Sequence, residues 1–585
     1  MMVKSLQRGA LLIAAIVLVL IIVAMVTAMS FLSVSNIGAS GSHMSSAEAL
    51  FAAQSGLERA LFQYSKLDTA CGSLTNATPL AVSAVPDAGK FTILGTVYPT
   101  AATASTLSGA GINASVTIIP VTSIANFAPH GRILIESEEI DYSSTSTSAA
   151  VCGTQPCFIA YQRGANGTTA AIHGAVAVYQ PSQCVIRSTG TAGAAKRVQE
   201  AAVRSLRVQS GSYTFTPSPV AAQSTTNVTI NNPVNPYRSF VVCQYRSGDS
   251  HDMARPTCVL TSPTRLDITI GGNTGAGDVT NSTVIIQWYV VEFVSGVTVQ
   301  RGLATIGGTD TANVAINAVT LANTFVINSE RINEDNDNGD ERWTTRARLT
   351  STTNLELFRH PTVSQAVTVA WQVIQINSAA VQYGQTSIAS PDNSNNGGIS
   401  LVDLTKTFLV FSRTAMTGVN GVEREYMTLG RIQSTGLNVN FDRAPFCPAT
   451  PACTGVTIRW FVVSMTDGIP CTAPWPAAAS CVLSGLPPTV AVGTSFLNAA
   501  LSPAIVPSRS VPIISMRGDP ASAADGALDE NSWTACFGTG AGCTTATTTN
   551  LRFDRERNGT TSTLSWFVVQ FASQVSVVDR REAYP

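Results

Sequence analysis

The chain has 585 residues, of which only 12% are charged, and its formal net charge is −1. This balance provides no basic surface for nucleic acid and no acidic tail, so we expect no nucleic-acid partner. The length leaves room for several domains, because a single hydrophobic core stops growing well before 585 residues.

The chain begins with a short basic stretch and a long apolar segment. Residues 10–26 include no polar side chain, and no formal charge lies between Arg8 and Glu48. As a helix, this segment can cross the ~30 Å hydrocarbon layer of a membrane. A secretory signal peptide would have a shorter apolar core. Two interpretations remain: an unprocessed anchor, or a type IV prepilin leader over residues 1–9, for which the processing residues are Arg8, Gly9 and Ala10.

The next segment, Ser45 to Lys66, has an amphipathic pattern. Apolar residues recur at helical spacing, whereas charged residues lie away from that stripe. The stripe consists of Leu50, Ala53, Leu57, Leu61 and Tyr64. We therefore predict one stem helix over residues 10–66, apolar first and amphipathic afterwards.

This stem carries a family resemblance. Ala47-Glu48-Ala49 and residues 52–60 resemble the start of the PilX and MshP-like family of pilus assembly proteins, which are minor pilins. Residues 184–190 and 195–198 show a weaker similarity to the last strands of that family's head domain. The resemblance implies a small β-rich head over residues 67–210.

The resemblance also implies partners and a location. They are prepilin peptidase, other pilins bound through the N-terminal helix, and the inner membrane as a single-pass location before assembly into a pilus or exposure at the cell surface or periplasm. One residue departs from the pattern of major pilins, whose fifth mature residue is a glutamate. Counting from Ala10, that position is Ala14 here. The departure favours a minor subunit at the tip or base of the fibre.

The cysteines indicate an oxidising compartment. Ten of the twelve form close sequential pairs, and the other two bracket the predicted head. An even count with local pairs in an exported chain predicts disulfides, although spacing alone leaves the connectivity open. Zinc is disfavoured because no Cys-x-x-Cys occurs. The close pairs are Cys152 and Cys157, Cys243 and Cys258, Cys447 and Cys453, Cys471 and Cys481, and Cys536 and Cys543, and the bracketing residues are Cys71 and Cys184.

Within the predicted head, residues 131–142 and 161–174 resemble a small β module that recurs in phage tail and bacterial surface proteins. Glu138, Arg163 and His173 are the residues there that could suggest catalysis. We favour a structural interpretation, since a carboxylate and an arginine on adjacent strands can pair and the glycines serve tight turns. No catalytic residue is predicted.

Beyond residue 210 three sequence markers recur in constant order four times, which predicts tandem domains of one type. The clearest marker is a strand with a central tryptophan and apolar neighbours at two-residue spacing, as expected for the core of a β-sandwich. The tryptophans are Trp288, Trp371, Trp460 and Trp566. The predicted repeats cover residues 211–310, 311–393, 394–490 and 491–585.

The variable loop of the second repeat is rich in acidic residues between Asn333 and Glu341. Its oxygen atoms suit calcium, but it lacks the twelve-residue calcium-loop pattern, and a solvated turn is the alternative interpretation. The candidate ligands are Asp335, Asp337 and Asp340. No other cofactor or metal is predicted.

The fold class expected from these patterns is α+β: a long pilin-type helix with a small β-rich head, followed by four tandem, all-β, sandwich-like repeats. The chain has no nucleophile elbow, no His-Glu-x-x-His and no phosphate loop, so we predict a non-enzymatic assembly role. The alternative is an anchored surface adhesin that binds a glycan or protein, because tandem repeats supply reach and avidity.

Overall fold

The chain folds as one long helix followed by a strand-rich region in many small sheets. The computed structural model describes residues 3–66, 69–76, 80–81, 89–101, 104–215, 224–247, 255–271, 283–307, 309–332, 344–360, 366–389, 392–415, 427–443, 455–471, 479–485, 489–519, 532–556, 558–559 and 561–583, with helix side chains described from Ala14 onward. Helix α1 spans Val3–Lys66, and the short helix α2 spans Ala149–Cys152. The α+β class expected from the sequence agrees with this architecture.

The first ten strands form two antiparallel sheets. They are β1 (Leu80–Ala81), β2 (Lys90–Tyr98), β3 (Ser105–Thr106), β4 (Ile118–Pro120), β5 (Gly131–Ile135), β6 (Glu138–Ser146), β7 (Cys157–Gln162), β8 (Ala177–Tyr179), β9 (Gln183–Ala192) and β10 (Ala195–Ser205). A six-stranded sheet has the order β3-β8-β5-β6-β7-β4, and we call it the module sheet. Strands β1, β2, β9 and β10 form most of the second sheet, which we call the head sheet.

The next twenty-four strands follow in four strand sets, each defined by its strands. Set 1 has β11 (Arg207–Phe215), β12 (Ser224–Thr229), β13 (Ser239–Ser247), β14 (Pro256–Ser262), β15 (Arg265–Ile270) and β16 (Val284–Glu292). Set 2 has β17 (Val297–Ile306), β18 (Thr311–Ala315), β19 (Thr324–Ile332), β20 (Arg346–Ser351), β21 (Asn354–Phe358) and β22 (Val367–Ile376). Set 3 has β23 (Ala379–Ile388), β24 (Ser394–Gly398), β25 (Thr407–Ala415), β26 (Leu429–Ile432), β27 (Asn438–Asp442) and β28 (Val456–Met465). Set 4 has β29 (Cys481–Gly485), β30 (Phe496–Ala500), β31 (Ser510–Asp519), β32 (Thr534–Thr539), β33 (Thr545–Asp554) and β34 (Thr561–Gln570).

The same pairing pattern holds in each strand set. The first, sixth and third strands form one three-stranded sheet, and the second, fifth and fourth strands form another. Because the first strand of each set pairs with the sixth, it belongs with the strands that follow it in the chain and not with those before it. The pairing therefore divides the chain earlier than the predicted boundaries at 310, 393 and 490.

The last strand, β35 (Val575–Ala583), does not belong to set 4. It pairs with β10 in antiparallel register, from Val198 opposite Ala583 to Ser205 opposite Val575. The head sheet therefore has the order β1-β2-β9-β10-β35. The predicted range 491–585 thus combines five of the six strands of set 4 with a strand that completes the head sheet.

The strand sets pack on one another in a closed ring. The fourth strand of each set contacts the third and sixth strands of the next set, and β32 of set 4 contacts β13 and β16 of set 1. Phe571, just after set 4, lies 5.0 Å from Phe293 and 6.2 Å from Phe240, measured between ring centroids. We expected tandem repeats to supply reach, but closure of the ring holds the four sets against one another.

Ring closure explains why the sixth strands are buried along nearly their whole length. In β16 every residue except Ile285 is buried. One face, with Ile286, Trp288 and Val290, belongs to the core of its own set. The other face meets set 4, where the Tyr289 hydroxyl donates to the Ala535 carbonyl at 2.8 Å. A strand buried on both faces cannot alternate between polar and apolar residues.

The four tryptophans are buried in the strand-set cores, with exposed fractions between 5% and 8%. Each lies opposite a glycine on the first strand of its set. A Cβ atom added at Gly302 would lie 2.7 Å from Cζ2 of Trp371, which is too close for any real contact. The paired residues are Gly211 and Trp288, Gly302 and Trp371, Gly384 and Trp460, and Gly485 and Trp566.

We expect Gly384→Ala to lower the free energy of unfolding by about 1–3 kcal/mol, because the new methyl group would overpack the indole of Trp460. Gly398→Ala is the matched control in set 3, since a Cβ there meets open space. Denaturant unfolding followed by tryptophan fluorescence measures both variants. Equal stability of the two variants would refute the packing argument.

Five disulfides join described residues. Cys71–Cys184 connects the segment after α1 to β9, Cys152–Cys157 connects α2 to β7, and Cys243–Cys258 connects β13 to β14. Cys471–Cys481 joins the segment before set 4 to its first strand, and Cys536–Cys543 closes a short loop within set 4. The predicted pair Cys447 and Cys453 lies outside the described residues.

Candidate functional site: the N-terminal helix and its junctions

The first half of α1 is an exposed apolar surface. Every described residue from Ala14 to Met44 is exposed, and the most apolar window, with a mean hydropathy of 2.9, is entirely unburied. Phe31 and Ile37 are 74% and 72% exposed. By length and composition the helix can cross a membrane once. So large an apolar surface needs lipid or another protein to cover it.

Two hydroxyl groups in the most apolar part of this surface donate within the helix. Thr27 Oγ1 donates to the Val23 carbonyl at 2.6 Å, and Ser30 Oγ donates to the Val26 carbonyl at 2.8 Å. These bonds direct the two hydroxyl protons toward the helix backbone. The helix surface is therefore compatible with an apolar environment.

The second half of α1 packs on the head sheet through small residues. Ala49, Ala52, Ala53, Leu57 and Ala60 have no exposed surface. Their size lets the helix backbone approach β9 so closely that a Cβ at position 190 would overlap the Ala49 carbonyl. This close contact requires the glycine found there.

The predicted amphipathic stripe lies on this contact face. Ala53 and Leu57 are fully buried, whereas Leu50, Leu61 and Tyr64 are partly buried. The Tyr64 hydroxyl lies 2.9 Å from Ser205 Oγ at the end of β10. One continuous helix thus joins an exposed apolar half to a folded head.

The predicted processing residues lie within the helical part of the chain. The backbone of Arg8, Gly9 and Ala10 belongs to α1. Ala14 is the first residue whose side chain is described, and it is exposed.

A buried charge cluster holds the module sheet, the head sheet and set 1 together. Glu139 on β6 accepts from Arg132 at 2.9 Å and from Arg238 at 3.1 Å, and Arg204 on β10 lies 3.7 Å away. Arg204 also pairs with Glu292 at 2.7 Å. Burial alone would raise the pKa of Glu139, but the three arginines lower it below its ordinary value. Glu139 therefore stays ionised as the shared partner of three parts of the fold.

A second cluster fixes β35 to its neighbours. His130, which is fully buried, lies 2.7 Å from Asp579 of β35 and 3.5 Å from Glu200 of β10. Arg581 pairs with Glu200 at 3.0 Å. The Tyr161 hydroxyl donates to the Val578 carbonyl at 2.8 Å. The final strand is therefore held by ionic contacts as well as by sheet pairing.

These contacts make the docking of β35 sensitive to pH. Burial would lower the pKa of His130, but its hydrogen bond to Asp579 and the nearby carboxylate of Glu200 outweigh burial and raise it above the ordinary value. A raised pKa in the folded state contributes stability that is fully present below the unfolded pKa of ~6.5 and is lost as pH rises through the folded value.

We therefore expect the amide protons of β35 to exchange faster as pH rises through the folded pKa of His130, after correction for intrinsic exchange. Hydrogen exchange with mass spectrometry measures this effect. His130→Gln is the control, because it cannot titrate and should show no such step. A pH-independent protection of β35 in the unmodified chain would contradict the assignment.

Glu138, Arg163 and His173 do meet in the module sheet, with all three side chains buried. Arg163 Nε donates to Glu138 Oε1 at 2.7 Å, and His173 Nε2 lies 2.7 Å from Glu138 Oε2. Burial would raise the pKa of Glu138, but these partners and two backbone N–H groups lower it to about 2. All the carboxylate oxygens are occupied, which supports the structural interpretation.

The predicted calcium ligands Asp335, Asp337 and Asp340 lie outside the described residues. Among the residues that the structure describes, no group of three or more His, Cys, Asp or Glu side chains is arranged to hold a metal ion.

Sequence reasoning missed the two charge clusters and the role of β35. The available signal was the pair Arg580-Arg581 after Asp579 in a chain with few charges. No protein-family model matches the chain, and comparison with curated proteins gives no match.

Proposed function

We propose that the chain is a non-enzymatic, minor pilin-type subunit of a type IV pilus or pseudopilus. The observation that supports this proposal is the division of α1 into an exposed apolar half and a half packed on the head sheet. In this role the exposed half is held in the inner membrane before assembly and packs among the helices of other pilins afterwards. Prepilin peptidase would remove residues 1–9.

We further propose that the strand sets are four copies of one sandwich-like domain. Their common strand order supports this, and so does the glycine opposite each core tryptophan. The ring begins at β11, directly after β10, and returns through β35 to the same head sheet. It therefore behaves as one bulky insertion into the head.

A bulky insertion favours a position at the tip or base of a fibre. Subunits along a helical shaft pack closely, and a ring of four domains on each would clash with its neighbours. Ala14 also fits a place at the tip or base of the fibre, because the subunit lacks the carboxylate that pairs inside the fibre core.

The test is the mature N-terminus of the chain co-expressed with a prepilin peptidase. We expect mass spectrometry to find a start at Ala10, and Gly9→Val to abolish cleavage. Gly38→Val is the matched control within the same helix, since its Cβ meets open space, and it should be cleaved normally. An intact Met1 in the unmodified chain would contradict the pilin proposal and favour an anchored surface protein.

A further inference from the structure

Equivalent clefts occur at two successive joints of the ring. One lies between sets 2 and 3, has a volume of about 350 Å³, and is lined by Arg348, Gly384 and Trp460. The other lies between sets 3 and 4 and has a volume of about 490 Å³. It is lined by Arg431 and Gly485, which occupy the corresponding positions on β26 and β29. The smaller volume is already in the range of ~300–1,000 Å³ typical of small-ligand sites.

The cleft between sets 2 and 3 has an excess of positive charge. Arg346 and Arg348 share one face of β20, and Arg459 of β28 faces them across the joint. Glu356 pairs with Arg348 at 2.6 Å. Glu356 is also near enough to act on Arg346 and Arg459. Among the described residues neither arginine forms an ion pair of its own, and Arg459 Nε is buried without a hydrogen-bond acceptor.

The pKa values of these arginines reflect the same imbalance. Burial, together with the charges of Arg459 and Arg348, lowers the pKa of Arg346 to about 10. Burial and the charge of Arg348 also lower the pKa of Arg459. The guanidinium groups therefore repel one another, and an added anion would relieve that repulsion.

An aromatic side chain completes this cleft. Tyr383 is 51% exposed and lies on the same face of the sheet as Arg459. Its ring centroid lies 6.4 Å from that of Phe461, which is buried and supports it. An exposed, supported aromatic ring offers a flat apolar face, and arginine binds carboxylates through two parallel hydrogen bonds.

The cleft between sets 3 and 4 lacks these features. Ser484 replaces Tyr383 and Ser565 replaces Arg459, as each precedes the glycine or tryptophan of its set. Arg431 in that cleft is paired with Asp442 at 3.1 Å. The two clefts thus share a shape but differ in chemistry.

We propose that the cleft between sets 2 and 3 binds an acidic saccharide, with Tyr383 against the sugar ring and Arg459, whose Nε has no acceptor among the described residues, on its carboxylate. The cleft is short, and a chain with net charge −1 offers no basic track to continue it. These two facts favour a short carboxylated saccharide over nucleic acid. The binding site belongs to the ring and does not depend on how the N-terminal helix is processed.

The test is isothermal titration of the full chain in detergent with tetragalacturonate. We expect saturable binding that weakens as salt rises. Arg459→Ser and Tyr383→Ser introduce the residues found in the other cleft, and each should weaken binding by about tenfold or more. Arg431→Ser is the matched control and should leave the affinity unchanged. Unchanged denaturant midpoints show that the variants fold.

Several results would overturn this proposal. They are absence of saturable binding, equal affinity for neutral galactotetraose, equal affinity for tetraglutamate, or equal losses for Arg459→Ser and Arg431→Ser.

Discussion

Replacement of Glu139 by glutamine is expected to lower the free energy of unfolding by about 3–5 kcal/mol, because it removes the shared negative partner of three arginines, two of which are buried. Glutamine keeps the shape of the side chain but leaves Arg132, Arg204 and Arg238 facing one another across the junction. The remaining acids, Glu292 and Asp141, each already pair with one of these arginines. Denaturant unfolding and the exposure of the junction to limited proteolysis measure the effect.

The control for this prediction is an ion pair of the same chemistry at the surface. Glu582 pairs with Arg197 at 3.2 Å, and both side chains are nearly half exposed. Glu582→Gln should therefore change stability by less than about 1 kcal/mol. If Glu139→Gln were as mild as Glu582→Gln, the cluster would not be what joins the module sheet to set 1.

Local sequence patterns determine the parts of the fold that are predicted well. The helix follows from an apolar run and a stripe at helical spacing, and both signals lie within one continuous segment. The position of the tryptophans in the core follows from apolar neighbours at two-residue spacing, such as Ile286 and Val290 around Trp288. Each of these inferences needs only residues that are close in sequence.

Contacts between distant residues are not predictable in the same way. The first strand of each set pairs with the sixth, so its assignment depends on a partner about a whole set away. Its only sequence marker is the glycine that faces the tryptophan, and a lone glycine in a strand can equally mark a bulge or a tight bend. The predicted boundaries at 310, 393 and 490 therefore fall too late to include those first strands with their partners.

The two candidate functional surfaces also differ in how far apart in the sequence their residues lie. The apolar half of α1 is evident from composition alone, since no charge interrupts it. The cleft between sets 2 and 3 combines Arg348, Tyr383 and Arg459, which come from two sets and three strands. Such a site forms only when set 2 packs on set 3, because neither set contributes enough of it alone.

A chain that ends at Gln574 should lose the native head sheet, with an effect well beyond the ~1 kcal/mol of a typical point substitution. Removing β35 exposes the whole edge of β10 and leaves the buried His130 and Glu200 without Asp579 and Arg581. An unpaired edge strand pairs readily with other chains, so we expect oligomers in place of monomers. Size-exclusion chromatography in detergent and hydrogen exchange of β10 measure the change.

Two further samples show whether the absence of β35 itself causes the loss of the head sheet and the formation of oligomers. A chain that ends at Ala583 keeps the whole strand and should behave as the full chain does. A synthetic peptide of residues 573–585 should bind the truncated chain and restore protection of β10, whereas the same peptide with Asp579→Asn should bind more weakly. Because His130 binds Asp579 best when protonated, the unmodified peptide should lose affinity as pH rises, and the Asn peptide should lose less. A truncated chain that stays monomeric with β10 fully protected would show that β35 is not needed to hold the head sheet together.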